Sequence, residues 1–229
     1  MSGRSVIVTG GFGALGKVVA AAFAAQGDKV ARVDFAPRPS EENPLGLDLP
    51  GVDLTQPTAA EAACAKVAAA FGGIDVLLNV AGGFTWETLA DGSVATWQRL
   101  HAMNAVTAVT MIKAALPALR RRPGGRIVNI GAGAAIQAAA GMGAYAASKA
   151  AVHRLTESLA AELAQEDITV NAVLPSIIDT PANRADMPNA DFKSWVRPEA
   201  IADVMLFLAS DAARAISGAL IPVSRGNPG

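Results

Sequence analysis

The sequence predicts an α/β fold: a single Rossmann-like domain over residues 1–229, with a doubly wound parallel sheet that carries helices on both faces. Short runs rich in valine, isoleucine and leucine alternate with longer alanine-rich runs, and this alternation is typical of such sheets. Segments such as 74–78 and 126–130 are apolar on both faces, as expected of parallel strands buried under helices. Neither a shift in composition nor an internal repeat indicates a second domain.

The elements follow one another in a regular order, with two interruptions. Residues 35–57 are polar and proline-rich, so we expect a surface excursion there. Residues 175–197 form a longer polar insert, and because loops of that length are usually functional we predict a substrate lid, with a disordered crossover as the alternative. Strands are predicted at 5–9, 29–34, 74–79, 125–130, 168–174 and 219–223, and helices at 14–26, 58–71, 96–120, 143–165 and 198–209.

The balance of charge excludes some classes of partner. The chain has 19 basic and 20 acidic residues and a net charge of −1, so neither nucleic acid nor a membrane surface is expected as a partner. The only cysteine, Cys64, lies among alanines and is interpreted as a packing residue. It excludes an internal disulfide and suits a reducing compartment. Because we find no signal-peptide segment and no apolar run long enough to cross a bilayer, we expect a cytoplasmic protein.

A glycine-rich turn joins the first predicted strand to the first predicted helix. Glycines allow a tight turn and let backbone N–H groups approach a pyrophosphate at the N-terminus of the helix. Asp34 ends the second strand about twenty residues later, where a carboxylate can accept hydrogen bonds from a ribose 2′-hydroxyl. This order predicts a dinucleotide site, and a glycine turn without a ligand is the alternative. The turn runs from Thr9 to Gly16 and includes Gly10, Gly11, Phe12, Gly13 and Leu15.

The charge at the end of the second strand favours NAD(H) over NADP(H). The Asp34 carboxylate would repel a 2′-phosphate, whereas Arg32 and Arg38 leave NADP(H) open. Asp53 and Leu54 are candidates for the border of the adenine site.

A second segment with cofactor contacts follows the strand predicted at 74–79. Asn79, Ala81 and Gly82 lie at its carboxyl end, the edge at which doubly wound sheets bind ligands. Asn79 by itself is equally typical of a helix cap and turn.

Tyr145 and Lys149 are candidates for acid–base chemistry. They are four residues apart in a predicted helix and therefore share one face of it. A neighbouring cation favours phenolate over phenol, so we expect Lys149 to lower the pKa of Tyr145 and to make it a general acid and base. The spacing alone is weak, because it occurs by chance on many helices; the glycine-rich turn upstream strengthens it.

Taken together, these motifs resemble the short-chain dehydrogenase/reductase family over nearly the whole chain. The resemblance includes the glycine-rich turn, segment 79–82, Asn104, the Tyr145/Lys149 pair and segment 175–180, all in the family's order. It implies a nicotinamide cofactor, hydride transfer to or from a small-molecule substrate, and a homodimer or homotetramer.

The resemblance also implies a role for each matching residue. Tyr145 would donate or accept the proton, and Lys149 would hold the nicotinamide ribose and lower the pKa of the tyrosine. Asn104 would hold a water in a proton relay. The carboxamide end of the cofactor would lie near Pro175, Ile178 and Thr180.

The chain departs from the family pattern at two positions. Gly13 and Ala14 reverse the usual order of glycine and variable residue in the turn. Ala132 stands about thirteen residues before the tyrosine, where the family usually has a serine that polarises the substrate oxygen. Loss of one such donor can lower the rate by roughly 10²–10³-fold. This loss of rate would be smallest for an electron-poor substrate.

Residues 129–197 also resemble the dihydropteridine reductase branch of the family, which lacks that serine and uses NADH to reduce a quinonoid dihydropterin. The matching runs include 132–134, 141–142, 173–175, 179–184 and 187–192. We therefore predict a conjugated acceptor of this kind as substrate. Candidate substrate contacts are Phe84, Trp86, Ala132, Met142 and Asn183, with Arg184 as a further polar contact.

Two other functions stay open. The enzyme alternative is a carbonyl or 3-oxoacyl reductase, or an alcohol dehydrogenase, with another donor in place of the serine. The alternative from another class is a non-catalytic nucleotide-binding redox sensor, which Ala132 would suit. No spacing of cysteine and histidine predicts a metal site, and His101 and His153 are interpreted as surface or packing residues. Asn129 and Asn171, inside strands, are expected to be structural.

Overall fold

One parallel sheet organises the chain, shown here in a computed structural model that describes residues 3–37, 43 and 46–225. Within these residues the strands are β1 (Ser5–Thr9), β2 (Lys29–Val33), β3 (Leu47–Leu49), β4 (Val76–Asn79), β5 (Gly125–Ile130), β6 (Ile168–Pro175) and β7 (Leu220–Val223). Their order in the sheet is β3-β2-β1-β4-β5-β6-β7, and every pairing is parallel. The order reverses between β1 and β4, which places a ligand crevice at their carboxyl ends. The predicted doubly wound α/β fold is confirmed.

Helices cover both faces of the sheet. They are α1 (Ala14–Ala25), α2 (Pro57–Phe71), α3 (Val94–His101), α4 (Thr107–Leu119), α5 (Gly143–Glu162), α6 (Pro181–Asp186) and α7 (Pro198–Leu208). One apolar core lies under α1 and α7, and the other lies under α2, α4 and α5. Alternate strand residues supply the two cores: Ile7 joins one, whereas Val6 and Val8 join the other. This explains why the strand segments are apolar throughout.

Three parts of the chain differ from the sequence prediction. The segment predicted as a surface excursion contains β3, which pairs with β2 at the edge of the sheet. The predicted lid contains the short helix α6. The helix predicted at 96–120 is continuous from α3 to α4, but its middle, Ala102–Val106, is a π-helical turn.

The helix Val94–Leu119 corrects the expectation that no run could cross a bilayer. It is long and apolar enough by length and composition, with a mean hydropathy of 1.4. However, 56% of its apolar stretch is buried, and the helix packs against α2 and α5. It is therefore built like the core helix of a globular fold.

A buried polar chain ties the middle of the sheet to α5. Asn79 Nδ2 donates to Asn129 Oδ1 at 2.9 Å, and Asn129 Nδ2 donates to Thr156 Oγ1 at 2.9 Å. Thr156 Oγ1 in turn donates to the carbonyl oxygen of Val152 at 2.8 Å. Asn171 bridges β6 to the segment before β7, since its Nδ2 donates to the Ile216 carbonyl oxygen at 2.8 Å.

Replacing Thr156 by valine should destabilise the protein, because Asn129 Nδ2 would lose its acceptor inside the core. We expect the Thr156→Val change to lower the free energy of unfolding by about 1–3 kcal/mol, as measured by urea denaturation. Thr156→Ser keeps the hydroxyl and should recover most of the loss. Thr58→Val, at an exposed position of α2, is the matched control. Equal stability of the two valine variants would contradict this role of the buried chain.

Candidate active site

A cavity of about 680 Å³ opens at the carboxyl edge of the sheet, between the glycine-rich turn and the π-helical turn. Among the lining residues that sequence reasoning did not single out are Phe35, Val52, Arg99 and Met103. Arg99 was missed because its position in the middle of a helix gives no sign of what it faces. The predicted cofactor residues that line the cavity are Gly10, Phe12, Gly13, Leu15, Gly16, Asp34, Asp53, Leu54, Ala81 and Gly82.

The glycine-rich turn is shaped by two close backbone contacts. Gly10 has a φ of +63°, and a Cβ on it would lie 2.8 Å from Ala81 Cα. A Cβ on Gly16 would lie 2.0 Å from the Gly10 carbonyl oxygen. At Gly13 a Cβ would meet only the Gly10 oxygen, at 3.3 Å, so the exchange of glycine and alanine at 13 and 14 is compatible with this turn.

The geometry of this turn fits the diphosphate of a dinucleotide. Residues 13–16 line the cavity where α1 begins, and the first backbone N–H groups of a helix have no partner within the helix. These groups and the helix dipole favour an anion at this point.

Asp34 lines the cavity and is anchored to the glycine-rich turn. Its Oδ2 accepts a hydrogen bond from Phe12 N at 2.9 Å, and its Oδ1 accepts one from Ala36 N at 3.0 Å. Each carboxylate oxygen keeps a lone pair for a ribose hydroxyl. Arg32 is buried and its guanidinium pairs with Asp48 at 2.7 Å, so it is held at the edge strand β3. Arg38 lies outside the described residues.

Asp53 and Leu54 form another part of the cavity wall. Asp53 Oδ1 accepts hydrogen bonds from Thr55 Oγ1 at 2.7 Å and Thr55 N at 2.9 Å, and these bonds lower the pKa of the Asp53 carboxyl group. The Leu54 carbonyl oxygen accepts from Thr110 Oγ1. The wall is therefore fixed to α4.

Seven residues predicted to bind the cofactor do not line the cavity: Gly11, Asn79, Tyr145, Lys149, Pro175, Ile178 and Thr180. A Cβ on Gly11 would meet the side chain of Arg32 at 2.6 Å, so this glycine serves the packing of β2 against the turn. Asn79 is buried in the polar chain between β4, β5 and α5. The next two residues are held in place by Thr9, whose Oγ1 accepts hydrogen bonds from Val80 N at 3.0 Å and Ala81 N at 3.1 Å.

Lys149 is buried on α5, with 4% of its surface exposed. Its Nζ donates a hydrogen bond to the carbonyl oxygen of Ile130, the last residue of β5, at 2.8 Å. No carboxylate among the described residues pairs with it. Burial lowers the pKa of the Lys149 ammonium to about 8.

Tyr145 lies one turn before Lys149 on α5 and is half-buried. Its ring meets the edge of Phe84 with centroids 4.9 Å apart. Burial raises the pKa of its phenol to about 12. The expectation that Lys149 lowers the pKa of Tyr145 is therefore not met in this structure, because burial alone shifts the pKa of the phenol and the ammonium is directed at Ile130.

Asn104 occupies the π-helical turn, a distortion frequently found at functional sites. Its Oδ1 accepts from Gly83 N at 2.8 Å, while its Nδ2 donates to Gly83 O at 3.0 Å and to Ser148 Oγ at 2.8 Å. Ser148 Oγ donates to the Tyr145 carbonyl oxygen at 2.7 Å. Asn104 therefore couples the loop after β4 to the turn of α5 that carries Tyr145. One Oδ1 lone pair remains for the relay water that the sequence predicts.

Gly82 connects the cavity with these polar groups. It lines the cavity, and a Cβ on it would lie 2.6 Å from Asn104 Oδ1 and 3.3 Å from Lys149 Nζ. A side chain at position 82 would collide with Asn104 Oδ1 and crowd Lys149 Nζ, so the glycine lets both groups pack directly against the cavity wall.

An aromatic wall, formed by Phe84 and Trp86, stands beside Tyr145. Phe84 is 50% exposed and Trp86 is 60% exposed. Trp86 Nε1 donates to the Ala140 carbonyl oxygen at 3.1 Å, and the indole lies against Gly141, where a Cβ would come within 2.1 Å of it. Both rings are thus held in place by contacts within the protein, while much of their surface is exposed to solvent.

The position of the absent serine is buried. Ala132 is extended, with φ −161° and ψ 143°, and its N–H donates to His153 Nε2 at 3.3 Å. Of the two interpretations of His153, surface or packing, the structure agrees with packing, because the residue is 2% exposed and is hydrogen-bonded. Met142 caps the start of α5, and its carbonyl oxygen accepts from Ala146 N at 2.8 Å.

The predicted lid is internally bonded. Ile178 pairs with Val196 as a parallel bridge, and Thr180 Oγ1 caps α6 by accepting from Asn183 N at 3.2 Å. Asn183 Nδ2 donates to the Ile178 carbonyl oxygen at 2.7 Å. Arg184 pairs with Asp179 at 2.6 Å and lies over a phenylalanine of the lid. Pro175 ends β6, directly before the lid.

The described residues contain no group of three or more histidine, cysteine or carboxylate side chains placed to hold a metal ion. Cys64 is buried, and burial raises the pKa of its thiol to about 12.

Known proteins resemble this chain over nearly its full length. The 3-oxoacyl-[acyl-carrier-protein] reductase of Escherichia coli (strain K12) is 31% identical, covering 98% of this chain and 97% of its own. A short-chain dehydrogenase of Penicillium roqueforti is 33% identical, covering 95% of this chain and 94% of its own. A D-β-hydroxybutyrate dehydrogenase of Rhizobium meliloti (strain 1021) is 26% identical, covering 97% of this chain and 98% of its own.

A solved structure and a family model also match this chain. A ligand-free aldohexose dehydrogenase of Thermoplasma acidophilum matches with a TM-score of 0.87 and 28% identity, covering 96% of this chain and 92% of that one. The family model described as enoyl-(acyl carrier protein) reductase matches residues 12–227. The chain belongs to the short-chain dehydrogenase/reductase family and is an NAD(P)-dependent oxidoreductase.

Proposed function

We propose that this oxidoreductase prefers NADH and reduces a flat, conjugated, electron-poor acceptor such as a quinonoid dihydropterin, with Tyr145 as the proton donor. The observation that carries the catalytic part is the approach of Lys149 Nζ and Asn104 Oδ1 to Gly82, at the wall of the cofactor cavity. A bound nicotinamide supplies the hydride. Residues 13–16 bind the diphosphate, and Asp34 binds a ribose.

The protonation states of the two acid–base residues favour reduction. A phenol with a pKa of about 12 is protonated at neutral pH, so Tyr145 is ready to give its proton to the substrate atom that becomes negative on reduction. Lys149, with a pKa of about 8, is largely cationic at pH 7, and its Nζ, close to Gly82 at the cavity wall, holds a ribose hydroxyl of the cofactor. Both shifts arise from burial, which excludes competing water.

The absent serine and the aromatic wall support the choice of substrate. Ala132 offers no hydroxyl to a developing oxyanion, and a conjugated acceptor needs that help least. Phe84 and Trp86 present open rings beside Tyr145, and aromatic faces stack well on flat rings. The sequence of residues 129–197 resembles the dihydropteridine reductase branch.

A 3-oxoacyl or other carbonyl reductase is the second candidate. It is favoured by the relatives, among which is the Escherichia coli 3-oxoacyl-[acyl-carrier-protein] reductase. In that case another group must polarise the substrate carbonyl in place of the serine.

Removal of the Tyr145 hydroxyl should abolish most of the turnover without affecting the cofactor. We expect Tyr145→Phe to lower kcat by about 10²–10⁴-fold, because general acid catalysis is lost. The Kd of NADH, measured by fluorescence titration, should stay within a few-fold of the wild-type value. A variant that turns over substrate as fast as the wild type would rule out Tyr145 as the acid, and with it a catalytic role for the pair.

The cofactor preference depends on the charge of Asp34. We expect NADH to bind more tightly than NADPH, and Asp34→Asn to narrow the gap by about tenfold, since it removes the charge that repels a 2′-phosphate but keeps one acceptor for the glycine-rich turn. Asp53→Asn, in the same cavity, should weaken both cofactors to the same degree. Tighter binding of NADPH by the wild type would overturn the assignment.

The substrate class can be tested by supplying the missing hydroxyl. The wild type should reduce quinonoid dihydropterin and reduce simple ketones poorly. Ala132→Ser should raise kcat/KM for simple ketones, by up to about 10²–10³-fold, and change pterin reduction little. Ala135→Ser, in the same turn, is the control. Strong wild-type turnover of ketones without activity on the pterin would favour the carbonyl reductase instead.

A further inference from the structure

Helix α5 holds the end of β5 at two backbone groups. Lys149 Nζ donates to the Ile130 carbonyl oxygen at 2.8 Å, and four residues later His153 Nε2 accepts from Ala132 N at 3.3 Å. Both side chains are almost fully buried. The helix that carries Tyr145 is therefore fixed to the segment that carries the position of the absent serine.

The histidine ring fits a space that a glycine provides. A Cβ on Gly131 would lie 2.5 Å from His153 Nε2 and 3.2 Å from Leu174 Cδ1. The ring thus occupies the room that any other residue at position 131 would need. A packing role alone would not require a ring nitrogen directed at the Ala132 N–H.

We propose that His153 is a positioning residue: its neutral imidazole holds the segment beginning at Ala132 against the helix that carries Tyr145, and protonation of that imidazole sets the acid limit of activity. The second part rests on the proposed function, because it concerns turnover through Tyr145. The first part does not depend on which substrate is used.

Protonation would place two N–H groups face to face. The Nε2 lone pair accepts from Ala132, so the ring proton of the neutral form belongs on Nδ1. An imidazolium would bring a second N–H against the Ala132 N–H and would bury a charge beside Lys149. The segment would then move away from α5.

The surroundings of His153 favour its neutral form. Burial lowers the pKa of the ring, Arg154 and Lys149 lower it further, and Glu157 opposes them. The strands meet the ring through Gly131 and Leu174, neither of which is ionisable.

The other elements that pack against α5 add no buried charge near the His153 ring. The π-helical turn has no ionisable side chain, and on α3 the groups are the exposed Arg99 and His101. Because the pKa in the folded protein lies below the usual value of 6.5, the unfolded chain binds more protons below that pH. The stabilisation by neutral His153 is complete above pH 6.5 and is lost as the pH falls through the folded-state pKa.

The tautomer can be read directly by NMR. The chain has 2 histidines, so the untagged His101→Gln protein leaves His153 as the only source of imidazole signals. We expect the Nδ1–H tautomer, with a titration midpoint below 6.5. An Nε2–H tautomer, or a midpoint at or above 6.5, would overturn the proposal whatever the substrate proves to be.

Kinetics test the acid limit with matched variants. His153→Gln places an amide acceptor at similar reach without a titrating group; its kcat at pH 7.5 should stay within about threefold of the wild type, and the acid limb of its pH profile should move to lower pH. His153→Leu removes the acceptor and should lower kcat by about tenfold at every pH, with the Kd of NADH unchanged. His101→Gln should keep the wild-type profile.

An acid limb that is the same in His153→Gln and wild type would overturn the proposal. So would a leucine variant with wild-type kcat. If the leucine variant fails to fold, the glutamine profile and the NMR tautomer decide the question. Loss of pterin activity in every protein, wild type included, would refute the proposed substrate and leave the tautomer result standing.

Discussion

The burial of the Lys149 ammonium against the Ile130 carbonyl oxygen is the constraint on which the site depends. A cation in a low-dielectric interior is unfavourable unless it is hydrogen-bonded, so α5 must lie where Nζ reaches the end of β5. That position in turn places Tyr145 beside the loop after β4 and brings Ser148 to Asn104. The glycine at position 82 completes the arrangement, because a side chain there would collide with Asn104 and crowd Lys149 behind the cavity wall.

The electrostatics of the pair differ from what the spacing of the two residues indicates. A spacing of four residues on a helix brings a phenol and an ammonium to one face, but this spacing does not fix where the ammonium points. In the structure it points to a backbone oxygen, and desolvation acts on both groups: the pKa of the phenol rises to about 12 and that of the ammonium falls to about 8. With these shifts the phenol is protonated and the ammonium is largely charged at neutral pH.

Features with strong local rules could be predicted from the sequence, and features set by distant contacts could not. The order of strands and helices and the glycine-rich turn follow from periodicity and backbone sterics. By contrast, β3 has only three residues in a proline-rich segment and forms because β2 offers an edge. Asn79 was predicted to bind the cofactor because of its place after a strand, whereas its side chain turns into the core to meet Asn129. His153 gave no signal, since its partner lies 21 residues away on another element.

Because of the composition of the chain, ionisation of the Tyr145 phenol can be detected by ultraviolet absorption. Tyr145 is its 1 tyrosine, while 3 tryptophans are present. Phenolate absorbs at longer wavelength than phenol, and indole does not ionise in this way, so an ultraviolet difference spectrum reports the charge on one oxygen atom. Ionisation of the acid can therefore be followed optically without any label, separately in the resting protein and in each of its complexes.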